Sequence, residues 1–360
     1  MKTSDKPLYI QIYNALKIRI ESDEWNFGAM LPSELELSEV YKVSRGTVRK
    51  VLAALEEDDL VRRERGRGTF ISRPQGQMKN SHVSSHSISF IVPYVRDSFV
   101  SSILLGLESV LRINDYTVVF HHVENDIDKQ QIVLRQSSQQ GVSGIVLYPV
   151  DSNNVSPVLR ELIQDEFPIV FVDRYIRGLY SDYVTSDNIT GGLIATQHLL
   201  SLGHRKIVFL GWTELATSME HRRLGYRQAL LEAGIEPDPN DEWEVIGYPE
   251  VDQAALEERL SQPERPNAIF TANDQLALSV LSVARSLKIS IPEELALVGF
   301  DNLDISAHLD IPLTTIAQPS FEIGYAAGEL LVSQIKKDIS WTQRRILPVQ
   351  LIIRQSCGAI

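Results

Sequence analysis

Apolar positions in the first seventy residues fall at helical spacing. Leu8, Ile12, Leu16 and Ile20 recur at intervals of four and mark one face of an amphipathic helix that opens at Pro7. The string Pro32-Ser33-Glu34-Leu35-Glu36 predicts a second helix start, with Ser33 as cap and Glu36 at the capping-box position. A third helix opens at Ser44 and turns Val48, Leu52 and Leu55 inward. Two strand-like pieces follow, residues 60–65 and 69–72, joined by Gly66-Arg67-Gly68. Two short helices in tandem and a basic hairpin predict a small α+β winged helix-turn-helix domain over residues 1–73.

Residues 74–86 are polar, hold Pro and Gly, and lose apolar periodicity, so they predict a linker. From 87 to 360 the rhythm changes. Continuous apolar strands at 88–93, 144–147, 169–172, 206–210, 268–270 and 296–300 alternate with helical stretches such as 128–140, 190–202, 220–233 and 275–287. This alternation predicts parallel sheets covered on both faces. Two successive α/β units predict two lobes, with a ligand beyond the carboxyl ends of the strands.

The net charge of −12 argues against a nucleic-acid partner until its distribution is considered. Residues 1–73 hold 13 Lys and Arg against 12 Asp and Glu; the remainder hold 22 against 35. The acidity belongs to the large segment, and the stretch from Arg45 to Arg73 concentrates positive charge where phosphate contact needs it. No apolar run reaches the ~18 residues of a membrane span. The single cysteine, Cys357, and an N-terminus without an apolar signal core predict a cytoplasmic protein.

Candidate chemistry falls in two places. In the small segment, Arg45, Gly46, Thr47 and Arg49 face outward from the start of the third helix, and Arg67 sits at the hairpin tip. Arginine pairs with guanine at two points in the major groove, and small residues admit the helix end to a phosphate. In the large segment, polar and aromatic residues follow the strands: Phe99, Tyr148, Asp173-Arg174, Asn273-Asp274 and Asp301. Carboxylates and amides bond hydroxyls, and aromatic faces cover the apolar side of a sugar ring. An Asp at a strand end also serves as a helix cap, and Asp274 is open to that reading.

Residues 7–72 resemble the DNA-binding domain of the GntR family of bacterial regulators. The resemblance rests on Leu31-Pro32-Ser33-Glu34, on Val43-Ser44-Arg45-Gly46-Thr47-Val48-Arg49 and on Gly66-Arg67-Gly68-Thr69-Phe70-Ile71. It implies DNA contacts at Glu34, Ser44, Arg45, Thr47, Arg49 and Gly68, while Leu35 stands where some members carry Arg. The large segment resembles the ligand-binding domain of the LacI/GalR regulators and the periplasmic sugar-binding proteins. Its strings are His198-Leu199-Leu200-Ser201-Leu202-Gly203-His204-Arg205, Arg222-Arg223-Leu224-Gly225-Tyr226, Ala272-Asn273-Asp274-Gln275-Leu276-Ala277 and Val298-Gly299-Phe300-Asp301. That resemblance implies effector contacts at Asp173, Arg222, Asn273, Asp301 and Gln318, with Tyr148 and Phe99 as wall residues.

A GntR-type head on a LacI/GalR-type body resembles the bacterial arabinose-responsive repressors. What it implies is a homodimer that binds double-stranded operator DNA of a carbohydrate-utilisation operon, at the nucleoid, and is released by a sugar. L-Arabinose is the first choice; a different monosaccharide or metabolite, or an activator, is the alternative. No enzyme motif is present: G-x-S-x-G, H-E-x-x-H and G-x-x-x-x-G-K-[ST] are all missing, and neither a cofactor, a metal nor a membrane partner is expected.

Overall fold

The apolar spacing of the first segment becomes three helices and a hairpin: α1 (Leu8–Glu21), α2 (Glu34–Tyr41), α3 (Arg45–Glu57), β1 (Val61–Glu64) and β2 (Gly68–Ile71). The computed structural model describes residues 8–21, 29–58, 60–64, 67–71, 85–95, 97–213, 216–246, 253–338 and 342–359. The chain divides into two compact units, residues 1–83 and 84–360. Most of the expected linker, residues 74–84, lies outside the described residues, and Ser85 and His86 already belong to the first strand of the second unit.

In the first unit Ser33 and Glu36 close the capping box: the Glu36 N–H donates to Ser33 Oγ, and the Ser33 N–H donates to Glu36 Oε2. Ile12, Leu16, Leu37, Val51, Leu52, Leu55 and Ile71 form the buried core. Leu8 departs from the expected face and is 55% exposed, because the buried stripe of α1 begins one turn later, at Ile12. β1 and β2 pair antiparallel, and residues 29–31 extend the hairpin through Leu31 N–H to the Thr69 carbonyl (2.8 Å) and Ile71 N–H to the Ala29 carbonyl (2.9 Å).

The second unit holds two six-stranded sheets. Its first lobe runs through β3 (Ser85–Val92), α4 (Ser98–Ile113), β4 (Thr117–His122), α5 (Ile127–Gln139), β5 (Val142–Leu147), α6 (Pro157–Gln164), β6 (Ile169–Val172) and β7 (Asp182–Ser186). The second contains α7 (Asn188–Ser201), β8 (Ile207–Trp212), α8 (Thr217–Glu232), β9 (Glu242–Val245), α9 (Gln253–Leu260), β10 (Ala268–Thr271), α10 (Asp274–Leu287), β11 (Ala296–Asp301) and β12 (Thr314–Ala317). The chain then supplies α11 (Ser320–Lys336), β13 (Arg344–Leu347) and β14 (Gln350–Ile352).

Two successive α/β units do not describe this path. The strand orders are β13-β7-β6-β5-β3-β4 and β14-β12-β11-β10-β8-β9, so the C-terminal segment serves both sheets. α11 returns to pack on α4 of the first lobe, and β13 pairs with β7 before β14 pairs with β12. The chain therefore crosses between lobes three times: after β7, after β12 and after β13.

Glycines make the helix contacts of both lobes close. A Cβ on Gly106 of α4 would lie 2.0 Å from the Phe321 carbonyl oxygen, and one on Gly324 of α11 would lie 1.9 Å from that of Ile103. In the second lobe a Cβ on Gly225 of α8 would lie 2.1 Å from the Ile189 carbonyl oxygen of α7. Because the obstacle is backbone, Gly324→Ala must push α11 away from α4, at a cost of about 1–3 kcal/mol or more. A urea midpoint for Gly324→Ala equal to wild type would contradict this packing.

Candidate ligand cleft and nucleic-acid interface

The strand ends of the second unit converge on one cavity between its lobes. All eight sequence-derived candidates line it: Phe99, Tyr148, Asp173 and Arg174 from the first lobe, Arg222, Asn273 and Asp301 from the second, and Gln318 from the crossing between β12 and α11. Asp97, in the polar stretch 96–99 after the first strand, lines it too, as do Tyr94, Asn125, Trp212, Ser218 and Met219, which are not among the sequence-derived candidates. The same strand-end rule reaches Tyr94, which follows β3, and Trp212, which ends β8.

Asp173 and Asp301 occupy matching places, just after β6 and at the end of β11, and both have left-handed backbone, with φ of +64° and +115°. Such values are costly for residues with a Cβ and persist where the surroundings over-determine them. Asp301 Oδ1 accepts from Gln318 Nε2 (2.7 Å) and faces Arg222 Nη1 at 3.5 Å. Arg222 is itself held by Asn188 Oδ1 (2.8 Å) and the Ala272 carbonyl (2.5 Å), and its guanidinium lies 3.7 Å from the centre of the Phe300 ring. Burial pushes the Asp301 carboxyl well above the usual carboxylate range, against the pull of Arg222.

Across the cleft Arg174 Nε donates to Asp173 Oδ2 (3.3 Å), and its Nη2 donates to the hydroxyls of Tyr148 (3.0 Å) and Tyr94 (3.3 Å). Those two hydroxyls are 2.6 Å apart. Burial pushes the Tyr94 hydroxyl up to about 12, so it stays protonated at neutral pH. The lobes meet directly: Ser218 Oγ donates to Asp173 Oδ2 (3.3 Å), Thr217 N–H donates to Ser152 Oγ (3.1 Å), and Tyr175 N–H donates to Thr217 Oγ1 (3.2 Å).

Asp274 does not cap its helix. Asn273 does, accepting from Leu276 N–H at Oδ1 (2.9 Å) while it lines the cleft. Asp274 is fully buried beneath β11, where burial pushes its carboxyl up to about 6 against the hydrogen bonds of Ser306, Thr315 and Leu303 N–H.

In the first unit none of the eight candidates, Glu34, Ser44, Arg45, Gly46, Thr47, Arg49, Arg67 and Gly68, is buried. Ser44 caps α3 by accepting from Thr47 N–H (3.2 Å), and the two hydroxyls lie 3.0 Å apart. Arg45 is exposed in the first turn. Glu34 and Arg49 engage each other at 2.8 Å, so these two candidates form one unit rather than two independent contacts. Arg63 donates to the Arg49 carbonyl (3.2 Å) and pairs with Glu56 (3.6 Å), which ties the hairpin to α3. The Arg67 guanidinium lies 6.0 Å from the centre of the Phe70 ring.

Among the described residues no helix is long and apolar enough to cross a membrane. A family model for bacterial regulatory proteins of the gntR family matches residues 8–71, and one for a periplasmic binding protein-like domain matches residues 196–357. The chain is 33% identical to an arabinose metabolism transcriptional repressor of Halalkalibacterium halodurans, with 96% of each chain covered. It is 27% identical to the protein of the same name from Geobacillus stearothermophilus, with 100% of each covered. Among solved structures, the transcription regulator GntR from Chromobacterium violaceum is 29% identical with a TM-score of 0.67, covering 76% of this chain and 100% of that one. A LacI family transcriptional regulator from Enterococcus faecium, with bound ribose, is 25% identical with a TM-score of 0.66, covering 76% of this chain and 99% of that one. The chain belongs to the family of bacterial transcriptional repressors that join a gntR-type DNA-binding head to a periplasmic-binding-protein-like body, and it is a regulator rather than an enzyme.

Proposed function

We propose that this repressor controls a carbohydrate-utilisation operon and leaves its operator when a neutral sugar, L-arabinose first, enters the cleft. The observation that supports this most is how the cleft's charges are spent. Arg174 is engaged by Asp173, Tyr148 and Tyr94, and Arg222 by Asn188, the Ala272 carbonyl and Asp301. Among the described lining residues, Asp97, Asp173 and Asp301 outnumber these two arginines. No cation there is left over for a phosphate or carboxylate, whereas acceptors, amide donors and the rings of Phe99, Tyr148 and Trp212 suit a polyhydroxyl ring.

Two copies pair through their bodies and present two heads to a nearly palindromic operator in the cytoplasm, at the nucleoid. Sugar favours one arrangement of the lobes and so changes the spacing of the heads. The two equilibria are coupled, so operator DNA weakens sugar binding by the factor that sugar weakens operator binding. The names of two relatives favour L-arabinose, and the ribose-bound neighbour favours a second pentose as runner-up. A melting-temperature panel of L-arabinose, D-ribose, D-xylose, D-galactose and a sugar phosphate tests this, because a ligand of the native state alone raises the midpoint. A panel that leaves the midpoint unmoved, or responds most to the phosphorylated sugar, overturns the reading.

A further inference from the structure

A polar network lies beneath the cleft and lines none of it. Asp301 ends β11 with φ +115°, and Asn302 follows with φ +56°. Two consecutive left-handed residues carrying side chains do not hold themselves in place. The turn is held from two sides.

On one side stands Asp274, fully buried. Its Oδ2 accepts from Leu303 N–H (2.9 Å) and the Ser306 hydroxyl (2.6 Å). Its Oδ1 accepts from the Thr315 hydroxyl (2.6 Å), and Thr315 Oγ1 in turn accepts from Asn302 N–H (3.3 Å). Gly299 belongs to the same device, since a Cβ there would lie 2.2 Å from Asp274 Oδ1. On the other side Arg354, which follows β14, donates from Nη2 to Asn302 Oδ1 (2.7 Å) and from Nη1 to the Leu313 carbonyl (2.6 Å). Asn302 suits this place twice: asparagine tolerates left-handed backbone, and its side-chain oxygen is the acceptor that Arg354 grips.

We infer that Asp274 and Arg354 are positioning residues for the ligand: they pin the Asp301–Asn302 turn in left-handed backbone and so aim the Asp301 carboxylate into the cleft. The role rests on the reading of Asp301 as a sugar contact. It makes effector affinity depend on two side chains that the effector never touches. Arg354 reaches this turn from the C-terminal segment that serves both sheets, so the last crossing of the chain takes part in recognition.

The test measures L-arabinose and D-ribose affinity by calorimetry on the full chain, beside sugar-free melting temperature and operator affinity. Arg354→Ala and Asp274→Asn are expected to weaken sugar binding about tenfold or more, with sugar-free operator affinity within about twofold of wild type. Asn302→Ala, which removes Arg354's acceptor and disfavours the backbone, is expected to lose as much. Asn302→Gly also lacks that acceptor but takes the same φ freely, so it is expected to lose several-fold less affinity than Asn302→Ala. That order of glycine over alanine is not produced by lost packing, and the Asn302 pair decides the matter even where Asp274→Asn fails to fold. Sugar affinity within twofold of wild type in both Arg354→Ala and Asn302→Ala overturns the proposal. Asp301→Ala separates the two layers. If it loses sugar while the network variants keep it, only the positioning role falls. If it binds sugar as wild type does, or wild type binds neither sugar, the cleft reading falls and takes the positioning role with it.

Discussion

Asp301→Ala is expected to abolish the response to sugar and to leave operator binding at wild-type strength. Its carboxylate is the one acceptor in the cleft shared by Gln318 Nε2 and Arg222 Nη1. Removing it leaves a buried guanidinium with one partner fewer and a bound sugar hydroxyl with none. An unmet buried hydrogen bond costs about 1–3 kcal/mol, and more where a charge is involved. The sugar's lost bond amounts to roughly tenfold to a hundredfold in sugar affinity, by the rule of about 1.4 kcal/mol per factor of ten, while the partner that Arg222 loses is missing in the free and bound protein alike. The DNA-facing candidates lie in the other compact unit, so sugar-free operator affinity is the internal control. Alanine also fits φ +115° less well than aspartate, so Asp301→Asn is the companion variant, keeping shape while losing one acceptor. Gel shifts across a sugar titration read both effects. Release of Asp301→Ala at the sugar concentration that releases wild type would contradict the assignment of the cleft.

Arg45→Ala is expected to cost about 1–3 kcal/mol of discrimination between operator and unrelated DNA. The argument is local. Ser44 caps α3 and so sets where the helix starts, and Arg45 follows it, exposed in the first turn. A helix entering the major groove reads bases with its first residues, and arginine reads guanine O6 and N7 together. Arg49, one turn on, is already bound to Glu34. Arg45 is therefore the residue with most to lose. Arg45→Lys should not restore selectivity, because an ammonium lacks the planar fork. The salt dependence of total affinity should change by about one phosphate contact at most. An operator-to-unrelated-DNA ratio equal to wild type in Arg45→Ala would remove Arg45 from base readout.

Much of the head was legible because its signals are short. The capping box at Ser33 and Glu36 and the cap at Ser44 are bonds between residues three apart, and both form as the spacing implied. Most of the cleft candidates were legible because they follow apolar strands, where a parallel sheet exposes its carboxyl edge, whereas Arg222, within α8, and Gln318 came from the resemblance alone. What those residues do to one another was not legible. Glu34 and Arg49 could be read as two contacts and form one ion pair. Asp274 could be read as a cap and supports the Asp301 turn from below instead.

The sequence by itself determined most of the helices and strands up to β11, the head's caps and the places where polar residues leave those strands. Those features depend on neighbours within about one helical turn or on strand alternation, and short-range periodicity records both. Only the tertiary structure decided that α11, β13 and β14 divide themselves between the two sheets. Only it brought Asp173, Asp301 and Gln318 to one cavity and set Arg354 beneath Asn302. The physical reason is that these contacts join residues remote in the chain. Their geometry comes from how helices and sheets bury their apolar faces against each other, down to the carbonyl that Gly324 lets α11 approach.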